Sequence, residues 1–154
     1  MSQTTQGDIA PDFTLSGSTG PITSAQFRGK PLVVYFYPKD DTPGCTKEAQ
    51  AFSALAGQFS TAGVAVLGVS KDSVASHTKF TTKYDLAISL GSDPEGTVVE
   101  AFGSWIEKSM YGRQYMGIDR STFLIDAAGQ IVRVWRKVKV AGHAEEVLAA
   151  AKAL

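Results

Sequence analysis

The residues best suited to chemistry lie in one short stretch, Thr42-Pro43-Gly44-Cys45, which holds the single cysteine of the chain. Thr42 is a favoured N-cap and Pro43 a favoured first helical residue, so Cys45 is expected in the first turn of a helix. Backbone N–H groups are unsatisfied there and the helix dipole is positive, and both favour thiolate over thiol. An ordinary thiol, with a pKa of about 8.5, is only a few per cent ionised at neutral pH, and moving one to about 6 takes about 3.4 kcal/mol. A helix end supplies about 0.3 to 2 kcal/mol of that, so a cation must supply much of the rest. The Thr42 hydroxyl, three residues back, could add a hydrogen bond to the sulfur. The competing reading is packing alone: free cysteines are among the most buried residues, and Cys45 also falls on the apolar stripe of its helix.

The surrounding pattern says what would hold this helix in place. Leu32 to Tyr37 is a continuous β-branched and aromatic run fenced by Pro31 and Pro38, as in a central strand buried on both faces. From Thr42 to about Ser60, Cys45, Ala49, Phe52, Ala56 and Phe59 recur at helical spacing. Val64 to Val69 reads as a second buried strand, Asp72 to Tyr84 as a helix, Ala87 to Leu90 as a short strand and Thr97 to Phe102 as a short helix. Upstream, Asp12 to Leu15 and Ile22, joined by glycine and serine turn chemistry, suggest a small N-terminal β-hairpin. Downstream, Ser121 to Ile125 and Ile131 to Val140 read as a hairpin across Asp126-Ala127-Ala128-Gly129, and Ala144, Val147, Leu148 and Ala151 mark a terminal helix. This order implies parallel pairing in the first half and antiparallel pairing in the second, hence a thioredoxin-like α/β sandwich with a central mixed sheet flanked by helices.

At 154 residues the chain is expected to form a single domain, 1–154, that buries roughly 68–70% of its unfolded surface. Fifteen basic and fifteen acidic side chains give a formal net charge of zero, which argues against a nucleic-acid partner and for small or neutral substrates. Arg133, Arg136, Lys137 and Lys139 cluster, but the valines between them point to a strand with one solvated face. A lone cysteine excludes an intramolecular disulfide, a C-x-x-C pair and a multi-thiolate zinc site. His77 and His143, too few and too far apart in the chain for a metal cluster, read as surface or packing residues, and no metal or cofactor is expected. The N-terminus has neither the basic start nor the apolar stretch of a signal peptide, and no run is long enough to span a bilayer, so the expectation is a cytoplasmic protein with no membrane partner.

Tyr35-Phe36-Tyr37-Pro38-Lys39-Asp40-Asp41-Thr42-Pro43-Gly44-Cys45-Thr46-Lys47-Glu48-Ala49 resembles the peroxiredoxin active-site loop: a proline, three residues, a threonine, two residues and the peroxidatic cysteine. The resemblance extends through Tyr111 to Asp126 and through Val138-Lys139-Val140-Ala141-Gly142-His143, features of the bacterioferritin-comigratory, or peroxiredoxin Q, subfamily. It implies a thiol-dependent peroxidase reducing hydrogen peroxide and small organic hydroperoxides through a cysteine sulfenic acid. In that scheme Cys45 is the attacking thiolate, Thr42 the hydroxyl that touches sulfur and peroxide, and Arg120 the cation beside both. Glu48, one helical turn beyond Cys45, resembles the carboxylate that orients the arginine, and it lines the peroxide pocket with Pro38, said to shield the sulfur, and Gly44. The chemistry agrees, because a guanidinium with fixed donors stabilises the charge that grows on the departing oxygen. Arg113, in what reads as a polar glycine-bounded loop, is the lesser candidate for this cation.

The pattern departs from the subfamily at one point. Where many members carry a second cysteine five residues after the first, this chain has Gln50, and the Asp72 to Tyr84 segment has none either. A sulfenic acid at Cys45 must therefore be resolved by an external thiol, such as thioredoxin, glutaredoxin or a low-molecular-weight thiol, in a one-cysteine cycle. The resemblance also implies a monomer. Two rivals remain from sequence: a thioredoxin-fold binding protein with a packed Cys45, and a thiol transferase that prefers disulfides.

Overall fold

The computed structural model describes residues 4–154. Its centre is a strand that serves two cores at once. All five residues of β3 (Leu32–Phe36) are buried, and they alternate: Val33 and Tyr35 face one cluster, Leu32, Val34 and Phe36 the other. On the first face pack Ala49 and Phe52 of α1 (Pro43–Ala54), Phe59 of α2 (Ala56–Thr61), Phe80 of α3 (Val74–Tyr84) and Val147 of α5 (His143–Lys152). On the second pack Val98 and Val99 of α4 (Thr97–Ala101), with Phe102 just after it.

β3 pairs in parallel with β4 (Ala65–Ser70), and β4 with β5 (Ser89–Ser92). On its other side β3 pairs antiparallel with β8 (Ser121–Ile125), which carries β9 (Ile131–Trp135) at the edge. The N-terminal hairpin, β1 (Thr14–Gly17) and β2 (Gly20–Thr23), closes the opposite edge. The seven-stranded order is β2-β1-β5-β4-β3-β8-β9, the mixed sheet flanked by helices that strand and helix order implied. Tyr35 lies opposite Gly68, where a Cβ would stand 2.7 Å from its ring, so the glycine makes room for the aromatic.

Four local readings change. The expected helix from Thr42 to Ser60 breaks at Leu55 (φ −98°, ψ 2°) into α1 and α2, although its apolar stripe survives the break. The strand expected at Ala87 to Leu90 lies two residues later. The strand expected to run to Val140 stops at Trp135, because Lys137 takes a left-handed conformation (φ 48°) that turns the chain back toward β8. A second sheet was not foreseen: β6 (Trp105–Met110) and β7 (Arg113–Ile118) form a hairpin. Its two-residue turn, Tyr111-Gly112, has positive φ at both positions (52° and 77°), the form whose twist suits a tight hairpin. Arg113 therefore opens a strand and is not a loop residue.

Candidate active site

Cys45 reaches its position because β3 ends at Phe36 and the chain bends through Pro38 to Thr42 into α1, which lays the first helical turn over the sheet end. Arg120 arrives from the other side of β3. Side chains alternate along β8, so Arg120, just ahead of it, shares the face of Thr122 and Leu124, the face that carries α1. Its neighbourhood is tied down: Val138 N–H donates to the Arg120 carbonyl (2.9 Å), Asp119 N–H to the Ser104 carbonyl (2.7 Å) and Lys137 N–H to Asp119 Oδ1 (3.2 Å). The early turn after β9 thus secures the residue before and the residue that carries the guanidinium.

The guanidinium is shared between two acceptors. Nη2 lies 3.4 Å from Cys45 Sγ and Nη1 donates to Glu48 Oε1 at 2.7 Å. Cys45 is 2% exposed, with apolar neighbours on one side and the cation on the other, so the thiol is not sealed in hydrocarbon. The N–H groups of Gly44 and Cys45 have no backbone partner among the described residues, as first-turn geometry requires. Gly44 is where the arginine crosses the helix end, for a Cβ there would stand 3.2 Å from Nη2.

Charge in this cluster is set by burial. Glu48 is 1% exposed and its Oε2 has no hydrogen-bond partner among the described residues; burial pushes the carboxyl up to about 7, against the pull of Arg120. Burial works against the Arg120 cation, but Glu48 and Cys45 outweigh it and hold the guanidinium firmly protonated. Lys108 on β6, half-buried and in no ion pair among the described residues, lies within electrostatic reach of Asp119, Arg120 and Cys45; burial pulls its ammonium below the usual lysine range. Nothing local in the sequence marked Lys108, whose place depends on the unforeseen hairpin.

One expectation about a side chain needs correction. Thr42 occupies the N-cap position, but its hydroxyl caps nothing and does not bond the sulfur: it donates to the Lys39 carbonyl at 2.8 Å. The loop doubles back between Lys39 and Thr42, so that carbonyl is nearer to hand, and the hydroxyl oxygen keeps lone pairs for another donor. Pro38 ends the strand as expected, yet it is solvent-exposed.

The histidines are not surface residues: both are buried and both are hydrogen-bonded. His143 meets Thr122 Oγ1 through Nε2 (2.8 Å) and packs edge-on against Phe52 and Trp135, and burial lowers its pKa. His77 joins Asp40 and Asp72, donor atoms of the three lying within 4.8 Å of one another. Chain separation hid this grouping from the sequence. Hydrogen bonds among Tyr37, Asp40, Ser70, Asp72, Ser76 and His77 already engage these groups. The basic cluster is also reassigned in part: Arg136 is half-buried, donating to the carbonyls of Gly103 (3.2 Å) and Phe102 (3.3 Å) with its guanidinium over Phe123.

Known proteins are similar to this chain in sequence and fold. The AhpC/TSA family pattern matches residues 6–134. Peroxiredoxin Bcp of Xanthomonas campestris is 53% identical over 92% of this chain and 89% of its own length, and that of Bacillus subtilis 46% identical over 92% and 91%. Among solved structures, Xanthomonas campestris peroxiredoxin Q superposes with a TM-score of 0.87 at 53% identity, covering 92% of this chain and 90% of that one. A cysteine-to-serine mutant of Xylella fastidiosa PrxQ superposes at 0.91 with 41% identity, covering 99% and 98%. A further structure, of the Xanthomonas campestris bacterioferritin comigratory protein, was solved to explain that protein's alkyl peroxide reduction activity. With one cysteine, held between a helix N-terminus and a guanidinium on the fold these proteins share, the chain belongs to the AhpC/TSA family as a peroxiredoxin of the Bcp, or peroxiredoxin Q, type, a thiol-dependent peroxidase.

Proposed function

We propose that the chain reduces hydrogen peroxide and small organic hydroperoxides at Cys45, with Arg120 and Thr42 as its catalytic partners. The observation that carries this reading is the single guanidinium within reach of both Cys45 Sγ and Glu48 Oε1. The thiolate attacks the hydroxyl oxygen of the peroxide, an S–O bond forms as the O–O bond breaks, the attacked oxygen keeps its hydrogen as the sulfenic acid, and the departing oxygen leaves as water or alcohol after taking a proton from solvent. Sulfur loses two electrons in the step. Arg120 and the free N–H groups of the first turn stabilise the charge on the departing oxygen. The Thr42 hydroxyl, already donating to the Lys39 carbonyl, accepts a hydrogen bond from the peroxide O–H through its lone pairs. Glu48 holds the guanidinium at the angle that reaches sulfur, Gly44 leaves it room, and Pro38 forms the outer rim of the pocket.

Resolution falls to an external thiol, since no second cysteine exists in the chain. A thiolate attacks the sulfenic sulfur, hydroxide leaves as water, and a second thiol releases Cys45 as a disulfide forms between the two reductant sulfurs. Thioredoxin, glutaredoxin and low-molecular-weight thiols all fit this chemistry. Dependence on such donors supports a reducing cytoplasmic setting, and none of the described helices is long and apolar enough to cross a membrane. We further propose that the protein acts as a monomer and as one domain, 1–154. One equivalent of peroxide followed by mass spectrometry should find one added oxygen on Cys45, removed on adding thiol. Normal turnover by Cys45→Ser, or faster reaction with disulfides than with peroxides, would defeat the reading.

A further inference from the structure

A second buried polar group lies in the bend between β3 and α1, away from the sulfur. Asp40 Oδ1 accepts from the Tyr37 hydroxyl at 2.5 Å, and Oδ2 accepts from Ser76 Oγ at 2.8 Å. The same Oδ2 stands 2.7 Å from His77 Nδ1, while His77 Nε2 stands 3.1 Å from the Gly91 carbonyl oxygen. A carbonyl oxygen only accepts, so Nε2 carries a hydrogen. Nδ1 cannot then present a lone pair to a carboxylate oxygen at this distance, and a proton must lie between the two. With two hydroxyl donors already on the carboxylate, that proton belongs to the ring, which makes the pair an imidazolium and a carboxylate.

This pair anchors the segment that leads into the helix of Cys45. Asp40 N–H donates to Asp72 Oδ2 (2.8 Å), so backbone and side chain of one residue are both held. The next residue, Asp41, is left-handed (φ 59°), and its carboxylate meets Lys83 Nζ at 2.8 Å and the Tyr84 hydroxyl at 2.6 Å. Both acids therefore tie the loop to α3, but the Asp41 contacts are solvent-exposed and contribute little, whereas His77 is 4% exposed. Breaking a buried pair leaves an uncompensated charge, so the inner tie decides where the loop sits. Thr42 is two residues beyond it.

We propose that the hydrogen bond from the His77 ring to Asp40 latches the Pro38 to Thr42 segment onto α3 and holds Thr42 and the first turn of α1 in the peroxide-reducing arrangement, which makes His77 a positioning residue. The idea rests on the peroxidase reading above. The other titratable groups facing the pair are Tyr37 from the end of β3 and Asp72 from the turn after β4, with Tyr35 of β3 within electrostatic reach of Asp40. Because Cys45 is almost fully covered, the same latch keeps bulky reagents from the sulfur while the small peroxide is served.

Two rates on the reduced protein test this: single-turnover oxidation by hydrogen peroxide, and alkylation of Cys45 by a bulky maleimide. In His77→Gln and in Asp40→Asn, oxidation should slow about tenfold and alkylation quicken about tenfold, as expected when a catalytic group is displaced by a fraction of an ångström. The double variant should be no worse than either single one, since both remove the same pair. Additive losses, or both rates unchanged in the single variants, would overturn the latch. Nitrogen NMR of the wild-type His77 ring needs no variant to fold: a hydrogen on each ring nitrogen is expected in the folded protein, and an Nδ1 without one would overturn it equally. Failure of wild-type protein to consume peroxide would instead strike the peroxidase reading, and the maleimide and NMR arms would still report on the latch.

Discussion

Arg120 and Glu48 form a nearly buried pair in which one guanidinium nitrogen is spent on the carboxylate at 2.7 Å and its twin is left 3.4 Å from the Cys45 sulfur. The planar fork divides its donors between the Glu48 carboxylate and the Cys45 sulfur. A lysine ammonium, a point charge on a flexible stem, has no comparable division.

Arg120→Lys should accordingly lower the rate of Cys45 oxidation about 100-fold, and Arg120→Ala about 1,000-fold, the range seen when a preorganised donor to a developing anion is removed. Stopped-flow mixing of reduced protein with hydrogen peroxide measures this. A lysine variant as fast as wild type would show that charge alone suffices.

Gly44→Ala probes the same fork from the helix side. The added methyl would stand 3.2 Å from Nη2 and displace the guanidinium from its line to sulfur. Oxidation should slow about tenfold with the melting temperature nearly unchanged, because the neighbour that gives way is the end of a partly exposed side chain.

Glu48 makes stability depend on pH with a definite sign. Its carboxyl is raised to about 7 in the folded chain, so between its unfolded value near 4.5 and 7 the native state binds the extra proton. Its contribution therefore favours folding fully below about 4.5 and is lost as pH rises through 7, on the order of 3 kcal/mol. Urea unfolding of wild type and Glu48→Gln at pH 5 and pH 8 isolates it: relative to the variant, wild type should be the less stable by that amount more at pH 8 than at pH 5. A pH-independent difference between the two proteins would refute the assignment.

Phe52 supports α1 from below. It is fully buried, stacks on Tyr35 at 4.7 Å between ring centroids and meets Phe59 and His143 at 6.0 Å each. Phe52→Ala should cost about 3–5 kcal/mol of stability and lower Tm by about 10 °C, read by calorimetry.

Much of this was legible along the chain because it is locally encoded. The unbroken apolar run of β3, the proline at the start of α1 and the Thr42-to-Cys45 spacing each act within a few residues, and they located the sheet, the helix and the cysteine in its first turn. The Tyr111-Gly112 turn was equally local, but its flanking strands are exposed and lack the alternation that marks a half-buried strand, so the hairpin they form went unseen.

Arg120 and Cys45 are 75 positions apart and Asp40 and His77 are 37 apart, and no spacing rule reaches so far. Their meeting depends on strand register, on the face parity of β8 and on a chain reversal at Lys137. The same holds for protonation and burial: the resemblance marks Glu48 as the partner of the arginine, but its burial and raised carboxyl follow only once the sheet and Arg120 close over it. Residue types and short-range pattern therefore singled out Cys45 and the fold, and the family resemblance named Arg120 and Glu48, whereas the distances between these groups and the charge they carry are decided only where distant segments pack and exclude water.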